Sequence, residues 1–430
     1  MQIFEKKTVT PERAVQAINS GNRVFLTGNA SVPQKVMHAL VSRAPELSNV
    51  EIVQVLTIGT AEYVAPEMQG HLRVNTLFIS DNVRAAVNDG RADFTPCFLS
   101  EIPGLFKNGL LPLDVALVHV SPPDEHGYCS YGVEVGVTKT AAQFAGIVIA
   151  EVNPNMPRTL GDAFIHVSKI DYIVPVDYEL PETPMGDPSE LASRIAKHIA
   201  TLIPDGATLQ MGIGGIPDAV LGELTSHKHL GVHSELFSDG VVDLVERGVI
   251  DGERKTLHPG KITAGFMLGT KRLYNFVHDN PIVELHPTDY INDPFVIAQN
   301  DRMVAINSAI EIDLTGQVCS DSIGPRLYSG VGGQLDFIYG ASRSKGGVPV
   351  IALPATATIK GEVVSRIVPM IRAGGGVVTT RNHVRYIVTE FGVADLYAKT
   401  IRQRAHALIS VAAPQFREEL ERQARTLKYV

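Results

Sequence analysis

Short runs of β-branched and other apolar residues alternate along the chain with stretches whose apolar positions recur at helical spacing. Arg23 to Thr27, Val50 to Ile58, Asp114 to Val120, Ile147 to Val152 and Tyr172 to Val176 read as strands, because continuous apolar runs of this length suit strands buried on both faces. Strands alternating with helices predict an α/β fold with a largely parallel sheet. From 172 to 190 the chain carries Pro175, Pro181, Pro184 and Pro188 without a helical period, which reads as a linker. Beyond it, Leu191, Ile195 and Ile199 form a one-face apolar stripe. Thr10-Pro11 and Asp187-Pro188 each set a capping residue before a proline, a signal for the start of a helix.

The segment after the linker repeats the opening of the chain. RVFLTGNASVPQKVMHAL (23–40) and ATLQMGIGGIPDAVLGEL (207–224) share a strand, a turn and a helix. Gly28/Gly212, Pro33/Pro217, Val36/Val220 and Leu40/Leu224 are all related by an offset of 184. The prediction is two tandem α/β domains of related topology, 1–186 and 187–430, each an open, mostly parallel sheet flanked by helices.

Composition narrows the class. With 430 residues, 44% hydrophobic and 20% charged, the chain can bury large cores. Its net charge of −8 gives no general attraction to nucleic acid or anionic lipid, so an anionic ligand has to find a local group of donors. Cys97, Cys129 and Cys319 are odd in number and far apart, which suits three reduced thiols better than a disulfide framework or a CxxC metal site. MQIFEKKTVTPERAV has no apolar signal region, and no apolar run approaches the ~20 residues of a membrane span. A cytoplasmic protein is expected.

Three clusters carry candidate chemistry. The strand-to-helix turn Met211-Gly212-Ile213-Gly214-Gly215-Ile216-Pro217 lets backbone N–H groups approach a ligand at a helix N-terminus, an anion or oxyanion site; it also reads as a tight turn. Glu235 lies 21 residues beyond Gly214, where a dinucleotide fold sets its ribose-binding acid, so an NAD enzyme competes, although Pro217 replaces the third glycine of that fingerprint. At the carboxyl end of a strand, Glu235 suits a base, a nucleophile or a hydrogen-bond acceptor; it also suits a plain solvated strand end. The third cluster is Ser329-Gly330-Val331-Gly332-Gly333-Gln334, followed by Arg343-Ser344-Lys345-Gly346-Gly347, glycines beside cations, which suits a phosphate-bearing ligand and also a plain loop with solvated cations. Ser121 to Cys129 and Asn153 to Arg158 are further polar stretches after strands. His119 and His126 lie seven apart in a proline-rich loop, and neither HExxH nor paired CxxC occurs, so no metal is expected. No GxSxG nucleophile turn is found either.

These motifs make the chain recognisable. VSPPDEHGYCSYG (120–132), NPNMPRTLGDAFIHVSKID (153–171), QMGIGGIPDAV (210–220), GVHSELFSDGVVDL (231–244), SGVGGQLDFIYGA (329–341), ALPATAT (352–358) and TRNHVRYIVTEFGVADL (380–396) stand in order over the whole chain. The sequence resembles the acetyl-CoA hydrolase/CoA-transferase family, and within it the 4-hydroxybutyrate and butyryl-CoA:acetate CoA-transferases. The resemblance implies a two-domain α/β enzyme that moves coenzyme A between carboxylic acids through a glutamyl-CoA thioester. It places the nucleophile on Glu235, and part of the CoA and oxyanion site on Gly212, Ile213, Gly214, Gly215 and Ile216. Gly332 and Gly333 form the second part, with Asn307 and Lys345 as further CoA contacts. It implies acyl-CoA and short-chain carboxylates as substrates, no permanently bound cofactor, no nucleic-acid or membrane partner, and a homodimer or larger assembly. An acyl-CoA hydrolase using the same intermediate is the nearest alternative; an NAD-dependent oxidoreductase is a more distant one.

Overall fold

The computed structural model describes residues 2–212 and 214–430. The chain divides into two compact units, one running to Pro184 with Thr263–Ile291, the other comprising Met185–Ile262 and Asn292–Val430. A cut at 186/187 would leave 263–291 with the second half, whereas these residues group with the first.

In the first unit the main strands are β1 (Arg23–Leu26), β2 (Val50–Gln54), β3 (Leu72–Thr76), β4 (Asp93–Phe94), β5 (Val115–Val120), β6 (Ile147–Val152) and β7 (Tyr172–Pro175). They lie in the order β7-β6-β5-β1-β2-β3-β4, every neighbour parallel. All six residues of β5 are buried, as a strand covered on both faces requires. Two boundaries differ from the sequence reading. β2 stops at Gln54, four residues short of Ile58, because the chain turns and Leu56 offers its carbonyl to the Asn29 N–H at 2.6 Å. The helix expected from Asp187-Pro188 begins instead at Glu190, where the Ser189 hydroxyl accepts from Ala192 N at 3.1 Å.

In the second unit β8 (Thr208–Met211), β9 (Gly231–Phe237), β10 (Met303–Ser308), β11 (Val348–Ala352), β12 (Tyr386–Thr389) and β13 (Gly392–Asp395) run in the order β13-β12-β11-β10-β8-β9. The neighbours are parallel except β12 and β13. Strand for strand this is the first sheet again, with β8, β9, β10, β11 and β12 in the places of β1, β2, β5, β6 and β7. The repeat seen in the sequence is therefore a repeat of topology. No helix among the described residues is long and apolar enough to cross a membrane.

Registers make the repeat informative residue by residue. β1 pairs Val24 with Val115, and β8 pairs Thr208 with Met303, so His119 on β5 and Asn307 on β10 hold equivalent positions. By the same alignment Glu151 on β6 corresponds to Ile351 on β11. Glu151 is fully buried and accepts from Val36 N at 2.6 Å and from the Tyr178 hydroxyl. It thus fills the N-terminus of the helix Gln34–Arg43, whose own preceding residue, Pro33, supplies no capping side chain. The corresponding helix of the second unit, Gly215–Glu223, follows Gly214 with no side-chain cap, and Ile351 has no acceptor to lend it. One helix N-terminus is closed by an internal carboxylate; its counterpart has no side-chain cap.

Candidate active site

Strand β9 carries the central feature. Its seven residues, Gly231–Phe237, are buried except Glu235, which is partly exposed. The ladder with β8 explains why. Leu209 faces Val232, but Met211 faces Leu236, so β9 advances four residues while β8 advances two. The surplus forms a bulge over His233, Ser234 and Glu235, a device that re-aims a side chain which regular pleating would keep in the sheet. Ser234 holds the bulge: its hydroxyl donates to the Met211 carbonyl at 3.2 Å and accepts from the Met211 N–H at 3.3 Å, standing in for the interrupted backbone bonds.

The Glu235 carboxylate receives two donors. Asn292 Nδ2 donates to Oε2 at 3.0 Å, and the Gly333 backbone N–H donates to the same carboxylate. Withdrawal from water outweighs both and pushes the Glu235 pKa up to about 7. Gly333 opens the helix Gln334–Arg343 and is preceded by Gly332 in the left-handed region, φ 56°. A Cβ at 333 would collide with Glu235 Oε2 and Asn292 Nδ2, so this glycine is demanded by contact with the acid. The Asn292 Oδ1 is buried without a hydrogen-bond partner among the described residues.

The first glycine turn behaves differently. Gly214 has φ 115°, a conformation that other residues rarely adopt. A Cβ on Gly215 would meet nothing within 4 Å, and one on Gly212 only Pro217 Cγ at 3.9 Å. The fold does not itself require glycine at 212 or 215; close approach of a ligand to their backbone would. Ile216 lies in the first turn of the helix. Ile213 falls outside the described residues.

Asn307 sits near the carboxyl end of β10 and donates Nδ2 to Gln210 Oε1 at 3.0 Å on neighbouring β8, one residue before Met211 and two before Gly212. It therefore joins Glu235 and both glycine motifs at the carboxyl edge of the sheet, where open α/β folds bind ligands. Lys345 does not. Its carbonyl accepts from Arg302 N at 2.8 Å, just ahead of β10, and its side chain is 87% exposed with Nζ 3.9 Å from Asp301. The helix Gln334–Arg343 carries the chain back to the amino edge, about 16 Å away along the strand at 3.3 Å per residue, so Lys345 is withdrawn from the cluster. His229, Asp251 and Glu253 bring three potential metal-ligand atoms together, again at the entry to β9, and His229 Nδ1 is engaged by Asp251 Oδ2 at 2.8 Å.

Sequence reading missed Asn292 and Ser234. Asn292 stands 57 residues beyond Glu235, just ahead of the helix-starting pair Asp293-Pro294, and no spacing rule links it to the acid. Ser234 adjoins Glu235 and was visible, but a bulge leaves no mark in hydrophobic alternation.

Two parallel sheets of related topology, the second with a desolvated carboxylate and an uncapped glycine turn at its carboxyl edge, define an α/β enzyme that binds its ligand at that edge. Residues 1–183 match the acetyl-CoA hydrolase/transferase N-terminal domain, and 269–424 its C-terminal domain. The chain belongs to the acetyl-CoA hydrolase/transferase family. It is 54% identical, over 97% of each chain, to 4-hydroxybutyrate coenzyme A transferase of Clostridium kluyveri. It is 37% identical to butyryl-CoA:acetate CoA-transferase of Anaerostipes caccae, over 98% of this chain and 96% of the other. The crystal structure of 4-hydroxybutyrate CoA-transferase from Porphyromonas gingivalis has 42% identity and a TM-score of 0.86, covering 99% of both chains.

Proposed function

We propose that the protein transfers coenzyme A from a short-chain acyl-CoA, such as 4-hydroxybutyryl-, butyryl- or acetyl-CoA, to a small carboxylate such as acetate, with Glu235 as the covalent carrier. The observation that carries this reading is the placement of Glu235, lifted from its strand by the bulge and offered two donors at one edge. The family relationship and the transferases named above support the same chemistry.

The steps follow from the groups present. Ionised Glu235 attacks the thioester carbonyl of the donor, and the carbonyl oxygen takes up the electron pair. The uncapped N–H groups around Gly214 and Gly215 are placed to meet that oxyanion or the anionic ligand that bears it. Collapse expels CoA thiolate and leaves a mixed anhydride between Glu235 and the acyl group. The thiolate returns to the glutamyl carbonyl, releasing the first acid and forming a glutamyl-CoA thioester. The acceptor acid then runs the sequence in reverse. Asn292 and the Gly333 N–H hold the glutamyl group in place throughout, and the free Asn292 Oδ1 is an acceptor for an N–H of the ligand. Much of the rate would be drawn from contacts to the non-reacting part of CoA.

The test is an incubation with butyryl-CoA, with and without acetate. Acetyl-CoA formation that requires acetate, lost in Glu235→Ala, supports the transferase; CoA release indifferent to acetate would make the protein a hydrolase instead.

A further inference from the structure

Arg366 is a cation at the carboxyl edge of the second sheet that the mechanism above does not use. Two backbone bonds fix its position: Arg366 N donates to the Ala355 carbonyl at 2.9 Å, just beyond β11, and its own carbonyl accepts from Ile312 N at 2.9 Å. From there the half-buried side chain reaches the loop leaving β10, where Nη1 meets the Ala309 carbonyl at 3.5 Å, two residues past Asn307. That long bond is its one hydrogen bond within the described residues, out of five N–H donors. Desolvation lowers its pKa, with Tyr328 and Glu390 acting electrostatically against that shift. Glu390, just past β12, already accepts from Ala355 N at 2.8 Å and makes no ion pair with the guanidinium. Tyr328 leads directly into Ser329-Gly330-Val331-Gly332-Gly333, the loop that touches Glu235.

A partly desolvated guanidinium with most of its donors uncommitted is costly to keep. It is also a fork shaped for an anionic oxygen pair. We propose that Arg366 binds the carboxylate of the acid that accepts CoA, a role that rests on Glu235 being the CoA carrier. Nearby Glu390 offsets part of the positive charge, which suits a singly charged carboxylate better than a multiply charged phosphate. One carboxylate oxygen is held by the guanidinium. The other attacks the glutamyl-CoA carbonyl, and CoA leaves as thiolate with the electron pair of the broken C–S bond. Lys345, at the amino edge, cannot share the task.

The experiment uses the full-length enzyme with Arg366→Gln and Arg366→Lys. Initial rates are measured with acetate varied at saturating butyryl-CoA, then with butyryl-CoA varied, and glutamyl-CoA formation on Glu235 is followed by mass spectrometry without added acetate. The KM for acetate should rise about tenfold or more in the Gln variant, with partial rescue in the Lys variant. The KM for butyryl-CoA should stay within about twofold of the parent, and the glutamyl-CoA thioester should still form on Glu235. A rise in the butyryl-CoA KM instead would assign the guanidinium to a CoA phosphate and overturn the proposal. So would an unchanged acetate KM, or equal losses in every step together with a lowered melting temperature. Absence of the thioester in the parent enzyme would mark failure of the underlying reading, separately from any effect of Arg366.

Discussion

Gly333 and Glu235 are in contact to the exclusion of any side chain at 333, whose Cβ would overlap both Glu235 Oε2 and the Asn292 amide. The N–H that this contact delivers is one of two donors on the carboxylate. Gly333→Ala should therefore push Glu235 away from Asn292 and misplace the donor. Misplacing a reacting group by about 1 Å costs on the order of 10² in rate, and steady-state rates with both substrates measure it. A kcat within a few-fold of the parent would show that the contact is incidental.

Because burial raises the Glu235 pKa to about 7, its carboxyl group is ionised only as pH climbs through that value. The kcat/KM for acyl-CoA should rise with pH and level off above an apparent pKa near 7, as the free enzyme's ionisation dictates. A profile flat from pH 5 to 8 would contradict this.

The same shift bears on stability, with a definite sign. Below the unfolded value of 4.5 the group is protonated in both states and costs nothing. Between there and about 7 the native state retains its proton more tightly, so stability falls as pH rises, and the deficit stays full above 7. Glu235→Gln removes the buried charge and should stabilise the protein at pH 8 by about 1–3 kcal/mol, with little gain at pH 4.5. Denaturant unfolding at the two pH values checks it, and an equal change at both would refute the electrostatic explanation.

Ser234 links the bulge to β8 through both polar groups of Met211. Ser234→Ala should cost about 1–2 kcal/mol in stability, as loss of a buried pair of hydrogen bonds does, and should lower kcat more than it raises either KM. Thermal unfolding and a kcat against KM comparison separate the two effects; a change in stability alone would leave the bulge without a catalytic part.

Glu151, in the first unit, tests the closed helix N-terminus. It closes the N-terminus of the helix Gln34–Arg43 through Val36 N. Glu151→Ala leaves that N–H and the Tyr178 hydroxyl without their acceptor, and should destabilise by about 1–3 kcal/mol. Reduced unfolding free energy with an intact yield of glutamyl-CoA on Glu235 is the expected pair of results.

Much of this was legible in the sequence. Five strands of the first sheet stand within a few residues of their β-branched runs, since parallel strands buried on both faces must be apolar throughout. The offset that joins Gly28 to Gly212 is a repeat of strand order, and Glu235 lies at a strand's carboxyl end, as its motif suggested. What stayed hidden depends on tertiary partners. The two-residue surplus in β9 exists only relative to β8, and Asn292 reaches Glu235 from a distant loop. Lys345 is near Gly332-Gly333 in sequence but not in space, since ten residues of helix separate them and return the chain to the opposite edge. Arg366, without a motif of its own, is placed by the loops after β10 and β11.

The central claim is that CoA rides on Glu235. Incubation of the full chain with butyryl-CoA alone, followed by borohydride treatment and peptide mass spectrometry, tests it directly. The prediction is a single modified peptide containing Glu235, its glutamyl side chain reduced to the alcohol, absent when CoA ester is omitted and absent in Glu235→Gln. An unmodified Glu235 peptide in an enzyme that is turning over, or modification at another residue, would contradict the account.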